Sequence, residues 1–288
     1  MNSRRLHMKE LISKNGLIVA PGAFDALSAR IIERAGFLAV YLTGGGISRS
    51  WGYPDLGLMT MTENLSLISR VCDSVNIPVI ADGDTGYGNA LNVIRTIREF
   101  EKAGVTAMHL EDQVTPKRCG HYEGKEVITK GEMVSKIKAA TDTRKDGLII
   151  IARTDARAIY GLDEAIQRGI SYVEAGADVI FVEAPQSLDE IRKIAASIPA
   201  PLMINMIKGS RTPMLNTKEI ENLGYKIAIY PNEAHRAAIW AVNECVNHLK
   251  INGNTKGYDQ MVGFDMREEL VGTPYWKSLS AKYGAETN

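Results

Sequence analysis

The sequence has no excess of charge of either sign and no long apolar run, and each absence excludes a class of protein. Its 288 residues carry 34 Lys and Arg against 34 Asp and Glu, so the formal net charge is zero. A balanced charge gives no sign of the basic surface with which proteins bind nucleic acid or an acidic membrane. No apolar run approaches the roughly 18 residues of a membrane-spanning helix. We therefore expect neither nucleic acid nor a membrane as a partner.

Cysteine is also scarce. The three cysteines, Cys72, Cys119 and Cys245, lie far apart and form no Cys-x-x-Cys pair. This spacing indicates neither a disulfide framework nor a zinc site. The charged stretch 1–14 lacks the apolar core and the small-residue cleavage site of a secretory signal. We therefore expect a cytoplasmic protein.

What the sequence does contain is an alternation of short β-branched apolar runs with amphipathic segments. The eight apolar runs are 17–20, 39–42, 78–81, 107–110, 148–152, 179–182, 202–204 and 227–230. The helical segments between them include 25–35, 90–103, 130–141, 162–175, 187–197 and 217–222. Continuous apolar strands are typical of a parallel sheet covered on both faces, and eight such units predict a closed (β/α)8 TIM barrel. The alternative is an open doubly wound sheet, but the segment 21–24 lacks its glycine fingerprint.

The chain shows no internal linker, so we expect one catalytic barrel domain over residues 1–252. A glycine-rich segment, 253–257, then leads into an appendage that we assign to residues 253–288. This appendage is rich in aromatic residues and would need a surface to pack on. We therefore expect it to be helical and to form subunit contacts.

Acidic residues follow two neighbouring predicted strands. A barrel carries its chemistry at the C-terminal ends of its strands, where Asp82, Asp84 and Glu111 would converge. Converging carboxylates repel one another unless a cation is present, and all-oxygen ligands favour Mg2+ or Mn2+ over zinc. Alternatively, Asp82 caps the next helix and Glu111 pairs with a surface lysine. His109, on the fourth predicted strand, either faces this pocket or is a satisfied core histidine.

A second group of residues is suited to binding an anion. Thr43 is followed by Gly44, Gly45 and Gly46, whose backbone N–H groups can approach a carboxylate closely. Arg153 follows the fifth predicted strand and can bind a carboxylate through two parallel hydrogen bonds. Together with the metal site, these residues predict a pocket for a metal-chelating dicarboxylate, although a plain turn also uses one or two glycines.

The third candidate is the basic segment Lys117, Arg118, Cys119, Gly120 and His121. Neighbouring positive charge favours the thiolate form of a cysteine. The glycines of this long connection suggest a lid that closes over the substrate. The alternative is a solvated basic loop with an incidental cysteine.

With these residues in view, the chain resembles the phosphoenolpyruvate mutase/isocitrate lyase superfamily over essentially its whole length. The segment 117–121 is similar to the lid of the lyase branch, whereas the phosphonate-forming mutases lack its cysteine. The segments 82–88, 111–113 and 152–156 match further motifs of the superfamily. Within the lyase branch, the stretch 205–209 is similar to the dimethylmalate lyase and petal death protein group, and two stretches typical of methylisocitrate lyases do not occur.

The resemblance implies a set of roles. Asp82 would bind Mg2+, Asp84 and Glu111 would act mostly through bound waters, and Asp55 would support the site. The substrate-binding residues would be Thr43, Gly44, Gly45, Gly120, Arg153, Glu183, Asn205 and Pro231. The resemblance also implies a homotetramer, built as a dimer of dimers, in which the last helix of the barrel is exchanged between subunits.

The implied reaction is cleavage of a carbon–carbon bond in a 2-hydroxy dicarboxylate. Cys119 would protonate the leaving fragment, Lys117 and His121 would tune it, and Tyr41 is a candidate for the base. We expect a 2-alkylmalate such as 2,3-dimethylmalate, which would give pyruvate and propionate. The alternatives are a 2-methylisocitrate lyase, an oxaloacetate hydrolase or decarboxylase, and a phosphonomutase-like enzyme. A non-catalytic metabolite-binding barrel is the alternative from another class.

Overall fold

Eight parallel strands close into a barrel in the order of the sequence. The computed structural model describes residues 3–120, 124–145 and 147–284. The strands are β1 (Ile18–Ala23), β2 (Val40–Leu42), β3 (Val79–Asp82), β4 (Ala107–Glu111), β5 (Ile149–Thr154), β6 (Val179–Val182), β7 (Leu202–Asn205) and β8 (Ile227–Tyr230). Each contains part of one of the apolar runs, and β1 pairs with β8 to close the circle. The predicted (β/α)8 barrel is confirmed.

One helix precedes the first strand, and further helices follow the strands along the chain. They are α1 (Ser3–Ser13), α2 (Ala26–Arg34), α3 (Gly44–Ser50), α4 (Met61–Ser74), α5 (Ala90–Lys102), α6 (Lys130–Thr143), α7 (Arg157–Tyr160), α8 (Leu162–Glu174), α9 (Leu188–Ser197), α10 (Thr217–Asn222), α11 (Glu233–Asn252), α12 (Phe264–Leu270) and α13 (Thr273–Tyr283). The six predicted helical segments correspond to α2, α5, α6, α8, α9 and α10. No helix among the described residues is long and apolar enough to cross a membrane.

The alternation of side chains along each strand divides the core into two layers. Val40 and Leu42 of β2 pack in the layer between strands and helices, whereas Tyr41 packs in the layer inside the barrel. The inner layer also contains Met8 of α1, so this helix closes the N-terminal end of the barrel. Successive side chains of a strand point to opposite faces. The residue two positions after an inner apolar residue therefore also points inward, one step closer to the C-terminal end of the barrel.

A buried carboxylate joins three elements near the C-terminal end of the barrel. Asp112, directly after β4, accepts hydrogen bonds from Thr154 Oγ1 of β5 at 2.7 Å and from the backbone N–H of Asp155 at 2.9 Å. It also accepts from Arg168 Nη1 at 3.0 Å and from Tyr172 OH at 2.8 Å, both on α8. Four donors satisfy the buried group, and they fix the ends of β4 and β5 relative to α8.

The chain divides into two compact units, Met1–His235 and Arg236–Asn288. In the second unit α12 contacts α13, and Leu270 is buried. No residue of α13 is buried, and 64% of Trp276 is exposed. The sequence-based division at residue 252, together with the assignment of 253–288 to subunit contacts, stays a prediction.

A close approach of β1 to the backbone of Pro231 gives a stability prediction. A Cβ on Gly22 of β1 would lie 2.3 Å from the carbonyl oxygen of Pro231 and 2.6 Å from its Cα. We expect Gly22→Ala to lower the free energy of unfolding by about 1–3 kcal/mol, because backbone atoms must move to admit the methyl group. Denaturant unfolding followed by circular dichroism measures this change. Gly131→Ala in α6 is the control, since no atom lies within 4 Å of its added Cβ. Equal stability of the two variants would contradict the prediction.

Candidate active site

The predicted site residues meet at the C-terminal end of the barrel because they continue the inward-pointing series of the strands. Tyr41 is followed by Thr43, Ile80 by Asp82, and Phe181 by Glu183, each two residues further on. One pocket is lined by Tyr41, Thr43, Gly45, Arg49, Asp55, Asp82, Lys117, Arg118, Cys119, Gly120, Arg153, Glu183, Asn205, Ile207, Pro231 and Asn232. Most of the predicted catalytic and binding residues are in this lining. Predicted His121 lies outside the described residues.

Asp82, His109 and Glu111 form a buried cluster that can hold a metal ion. One potential ligand atom from each lies within 4.8 Å of the other two. His109 is the register partner of Asp82 on the neighbouring strand, and Glu111 follows two residues later on the same face. Within the described residues, Glu111 Oε1 and His109 Nδ1 are buried without a hydrogen-bond partner. Buried polar atoms without partners are costly, so this donor set fits a divalent cation.

Asp84 lies beside this cluster but is paired with a lysine. Lys117 Nζ lies 2.6 Å from Asp55 Oδ1 and 2.9 Å from Asp84 Oδ1, and all three side chains are buried. Burial alone would lower the pKa of Lys117, but Asp84 and Asp55 outweigh burial and hold that pKa well above its usual value. The lysine therefore stays protonated, and its buried charge is neutralised. The role of Asp84 as a metal ligand stays a prediction.

Burial and nearby charges shift the pKa values of the acidic residues and of His109 in different directions. Burial raises the pKa of Asp84 to about 6 and lowers that of His109 to about 4. For Asp82 burial acts upward, but His109, Lys117 and Arg153 hold its pKa at about 2. At neutral pH, Asp82 is an anion and the imidazole of His109 is uncharged, and both states are those that ligate metals.

Tyr41 contacts this cluster through its hydroxyl group. Its OH lies 2.8 Å from His109 Nε2. Burial, reinforced by the charge of Asp82, raises the pKa of Tyr41 well above its usual value. The phenol therefore keeps its proton in the free enzyme, and the use of Tyr41 as the base stays a prediction.

Arg153 is held in one orientation by three groups. Its Nε and Nη2 donate to the two oxygens of Asp155 at 2.9 and 3.1 Å. Its Nη1 lies 3.2 Å from Glu111 Oε2, and the guanidinium carbon lies 5.2 Å from the centre of the Phe181 ring. Glu183 is more distant, at 3.9 Å. The guanidinium is therefore fixed at the pocket wall and suited to binding a carboxylate.

The glycine run after β2 forms the first turn of a helix rather than an open loop. Thr43 is the N-cap of α3, and its hydroxyl accepts a hydrogen bond from Gly46 N at 3.2 Å. Gly44 N donates to Asp82 Oδ2 at 3.3 Å, and a Cβ on Gly44 would lie 2.5 Å from that oxygen. The glycine is therefore required by close approach to the candidate metal ligand, and its amide is already bonded to a protein carboxylate.

The segment that carries Cys119 packs onto the pocket. Cys119 is half-buried, and its N–H donates to the carbonyl oxygen of Asp55 at 3.2 Å. The Gln113 side chain bonds to both the N–H and the C=O of Arg118 at 2.9 Å, which fixes the preceding peptide. A Cβ on Gly120 would lie 2.6 Å from Arg153 Nη2. This backbone is therefore placed against the barrel, whereas a solvated loop was the alternative.

Sequence reasoning left some members of the site open or missed them. His109 was left open, although its position two residues before Glu111 on one strand places both on the inner face. Arg49 of α3 also lines the pocket, but the sequence offered no signal for it because α3 was not expected to be a helix. Ile207 lines the pocket two residues after Asn205, outside any strand.

The barrel carries an acidic cluster, an arginine and a cysteine at its C-terminal end, as a metal-dependent barrel enzyme would. Comparisons with known proteins identify the family. The family described as phosphoenolpyruvate phosphomutase matches residues 8–250, and the chain belongs to this phosphoenolpyruvate mutase/isocitrate lyase superfamily. The relatives described below are named lyases of this superfamily, and the chain is a carbon–carbon lyase. The predicted family is confirmed.

Individual relatives are similar over nearly the whole chain. The 2,3-dimethylmalate lyase of Eubacterium barkeri is 48% identical over 279 residues, covering 96% of each chain. The 2-methylisocitrate lyase of Aeropyrum pernix is 45% identical over 251 residues, covering 87% of this chain and 81% of the relative. A crystal structure of a 2,3-dimethylmalate lyase superposes with a TM-score of 0.93 at 34% identity, covering 100% of this chain and 97% of that one.

The buried cluster gives a prediction about metal binding. We expect Asp82→Asn to weaken Mn2+ binding by at least about 100-fold, because groups that only support a metal ligand already contribute about 10–100-fold. Isothermal titration calorimetry or the electron paramagnetic resonance signal of free Mn2+ measures the affinity. Asp73→Asn on α4 is the matched control, since Asp73 is exposed. Unchanged Mn2+ affinity in Asp82→Asn would place the metal elsewhere.

Proposed function

We propose that this enzyme cleaves a 2-alkylmalate such as 2,3-dimethylmalate into pyruvate and propionate. The observation that carries the proposal is the meeting of Cys119, Arg153 and Asp82 in one pocket, with the partly unsatisfied Glu111 behind it. The 48% identity to a 2,3-dimethylmalate lyase over 96% of the chain supports the choice of substrate.

We assign the metal to Mg2+, with Mn2+ as the substitute. Asp82 and Glu111 would supply oxygen ligands, and the uncharged His109 lies beside them, with its Nε2 3.3 Å from Asp82 Oδ1. An oxygen ligand set that leaves room for water and substrate favours Mg2+. The bound cation would lower the pKa of the substrate's 2-hydroxyl group.

The residues of the chain then act on the other half of the substrate. The hydroxyl gives its proton to Tyr41, whose own phenol proton passes to His109 Nε2 at 2.8 Å. A C=O bond then forms at C2, and the C2–C3 bond breaks. The electron pair of that bond passes to the leaving fragment, whose carboxylate becomes an enediolate. Arg153 donates hydrogen bonds to the charge that builds there, and its fixed orientation requires no rearrangement at that moment.

Cys119 completes the reaction by giving its thiol proton to C3 of the substrate, which becomes C2 of propionate. Lys117 keeps its own proton because of Asp55 and Asp84, so its role is to hold the backbone of this segment on the barrel and to supply positive charge. Tyr41 donates a hydrogen bond, and Thr43, Asn205 and the other lining residues shape the pocket around the substrate.

A second candidate substrate, 2-methylisocitrate, is favoured by a specific feature of the pocket. This tricarboxylate would release succinate, so its third carboxylate needs a further cation. Arg49 and Arg118 line the pocket in addition to Arg153. A relative that is 45% identical is a 2-methylisocitrate lyase. Against it, Ile207 and Pro231 give the wall an apolar part that suits a methyl group.

Product analysis with 2,3-dimethylmalate, 2-methylisocitrate and oxaloacetate, each with Mg2+ and with EDTA, tests the proposed reaction. Pyruvate is measured for all three, and oxalate also for oxaloacetate, because a hydrolase splits that compound into oxalate and acetate. We expect pyruvate release from 2,3-dimethylmalate that needs Mg2+ and falls by about 100-fold or more in Cys119→Ala, since general acids contribute about 10²–10⁴-fold. Cys245→Ala on α11 is the matched control, because this cysteine lies outside the pocket. Faster turnover of 2-methylisocitrate would move the enzyme to the second candidate. Oxalate and acetate from oxaloacetate, or turnover of none of the three, would refute the lyase proposal.

We also propose a homotetramer in which the C-terminal helix is exchanged between subunits. The support is the second unit, where large apolar side chains are exposed, namely Ile239, Trp240, Val242, Val246, Ile251, Phe264, Tyr275, Trp276 and Tyr283. A concentration of large exposed apolar side chains in one unit points to an interface. The expected cytoplasmic location also stays a prediction.

Light scattering coupled to size-exclusion chromatography tests the assembly. We expect a tetramer for the natural chain and a smaller species for the double variant Phe264→Ser with Trp276→Ser, because both side chains would lose apolar contact area. The control is Leu91→Ser, which changes an exposed apolar residue of α5 that is 74% exposed. A monomer in the natural chain, or an unchanged tetramer in the double variant, would contradict the proposal.

A further inference from the structure

The loop between β4 and α6 is fastened to the barrel by a lysine that the proposed reaction does not use. Lys125 lies on the part of this loop that returns to α6, and 4% of its side chain is exposed. Its Nζ lies 3.3 Å from Asp155 Oδ1 and also donates to the carbonyl oxygen of Gly120. A buried ammonium group is stable only beside an opposite charge, so this loop position depends on Asp155.

The same carboxylate holds Arg153. Asp155 is fully buried and accepts two hydrogen bonds from the guanidinium, while its own backbone N–H donates to Asp112 Oδ1 at 2.9 Å. Arg153 is the group that we assign to substrate binding. One rigidly placed carboxylate is therefore shared between that guanidinium and the ammonium of Lys125.

Gly120, whose carbonyl oxygen Lys125 contacts, lies directly against the proposed substrate-binding residues. A Cβ on Gly120 would be 2.6 Å from Arg153 Nη2 and 2.9 Å from Glu183 Oε1. The preceding residue, Cys119, is bonded through its N–H to the carbonyl oxygen of Asp55. The two residues Cys119 and Gly120 are thus held at the Cys119 N–H by Asp55 and at the Gly120 carbonyl oxygen by Lys125.

We propose that Lys125 is a positioning residue that holds Cys119 and Arg153 in a single arrangement through Asp155. The inference rests on the proposed function, in which Cys119 gives a proton to the fragment that Arg153 binds. A proton donor displaced by about 1 Å loses much of its rate, so a bridge between the two groups has a direct effect on the chemistry.

The reactivity of the Cys119 thiol tests the bridge without any substrate. Full-length protein is treated with iodoacetamide, and the alkylation rate of each cysteine is read from its peptide by mass spectrometry. We expect Lys125→Met to raise the rate at Cys119 by about tenfold, because a charge-assisted hydrogen bond no longer holds this segment. Loss of a nearby positive charge alone would reduce the thiolate fraction and slow the reaction, so an increase reports exposure.

The chain supplies its own controls. Cys245, in the second unit, should react at the same rate in every variant. Lys130→Met, which changes an exposed lysine at the start of α6, should leave Cys119 unchanged. Lys125→Arg keeps a donor with a positive charge and should restore slow alkylation. If Lys125→Met does not fold, as judged by its thermal unfolding, Lys125→Gln replaces it and should show the same increase.

Turnover of the substrate found in the pyruvate assay separates positioning from general stability. We expect Lys125→Met to lower kcat by about tenfold with KM changed less than about twofold, since Arg153 keeps its two bonds to Asp155 while Cys119 loses its placement. Unchanged alkylation and unchanged kcat in a folded Lys125→Met would overturn the proposal. If the natural chain turns over none of the substrates, the lyase proposal fails by itself. The alkylation rates still decide whether Lys125 holds the segment that carries Cys119.

Discussion

The rest of the site depends on a single constraint, which is that many charges are buried together at the C-terminal end of the barrel. Asp55, Asp82, Asp84, Glu111, Asp155 and Glu183 are all buried there, with Lys117 and Arg153 between them. Carboxylates outnumber the cations, and charge taken out of water must be neutralised. The protein meets this requirement partly by raising the pKa of Asp84 and Glu111 and partly by sharing each cation among several carboxylates. What remains unsatisfied, above all Glu111 Oε1, is suited to a divalent cation.

Shared carboxylates also make the site a connected structure. Asp112 joins the ends of β4 and β5 to α8, and its acceptance of a hydrogen bond from the backbone of Asp155 places the carboxylate that orients Arg153. Asp55 plays a similar part on the other side, because its side chain binds Lys117 and its backbone binds Cys119. The loop after β4 is therefore attached at both flanks to residues with buried carboxylates. The proposed proton donor and the proposed anion-binding group belong to one network.

The fold and much of the site could be predicted from the sequence because both follow from periodicity. Continuous apolar runs indicated buried parallel strands, and the residue after each run had to lie at one end of the barrel, which is why Asp82, Glu111, Arg153 and Glu183 were found. The residues that prediction missed came from places without periodicity. Arg49 is on α3, whose glycines have low helix propensity and form a helix only because Thr43 caps it and Asp82 accepts from Gly44. Lys125 is on a loop, where spacing carries no information about partners.

By itself, the sequence determined the number and order of the strands, the identity of the chemistry-bearing residues and the family, since these depend on local pattern and on motifs such as 117–121. Only the tertiary structure decided which charges pair. Asp84 and Asp55 share Lys117, His109 joins Asp82 and Glu111, and Asp155 connects Arg153 to Lys125. The physical reason is that the energy of a buried charge depends on distances of a few ångströms between groups far apart in the chain. Such distances are set when the barrel closes, and no local pattern contains them.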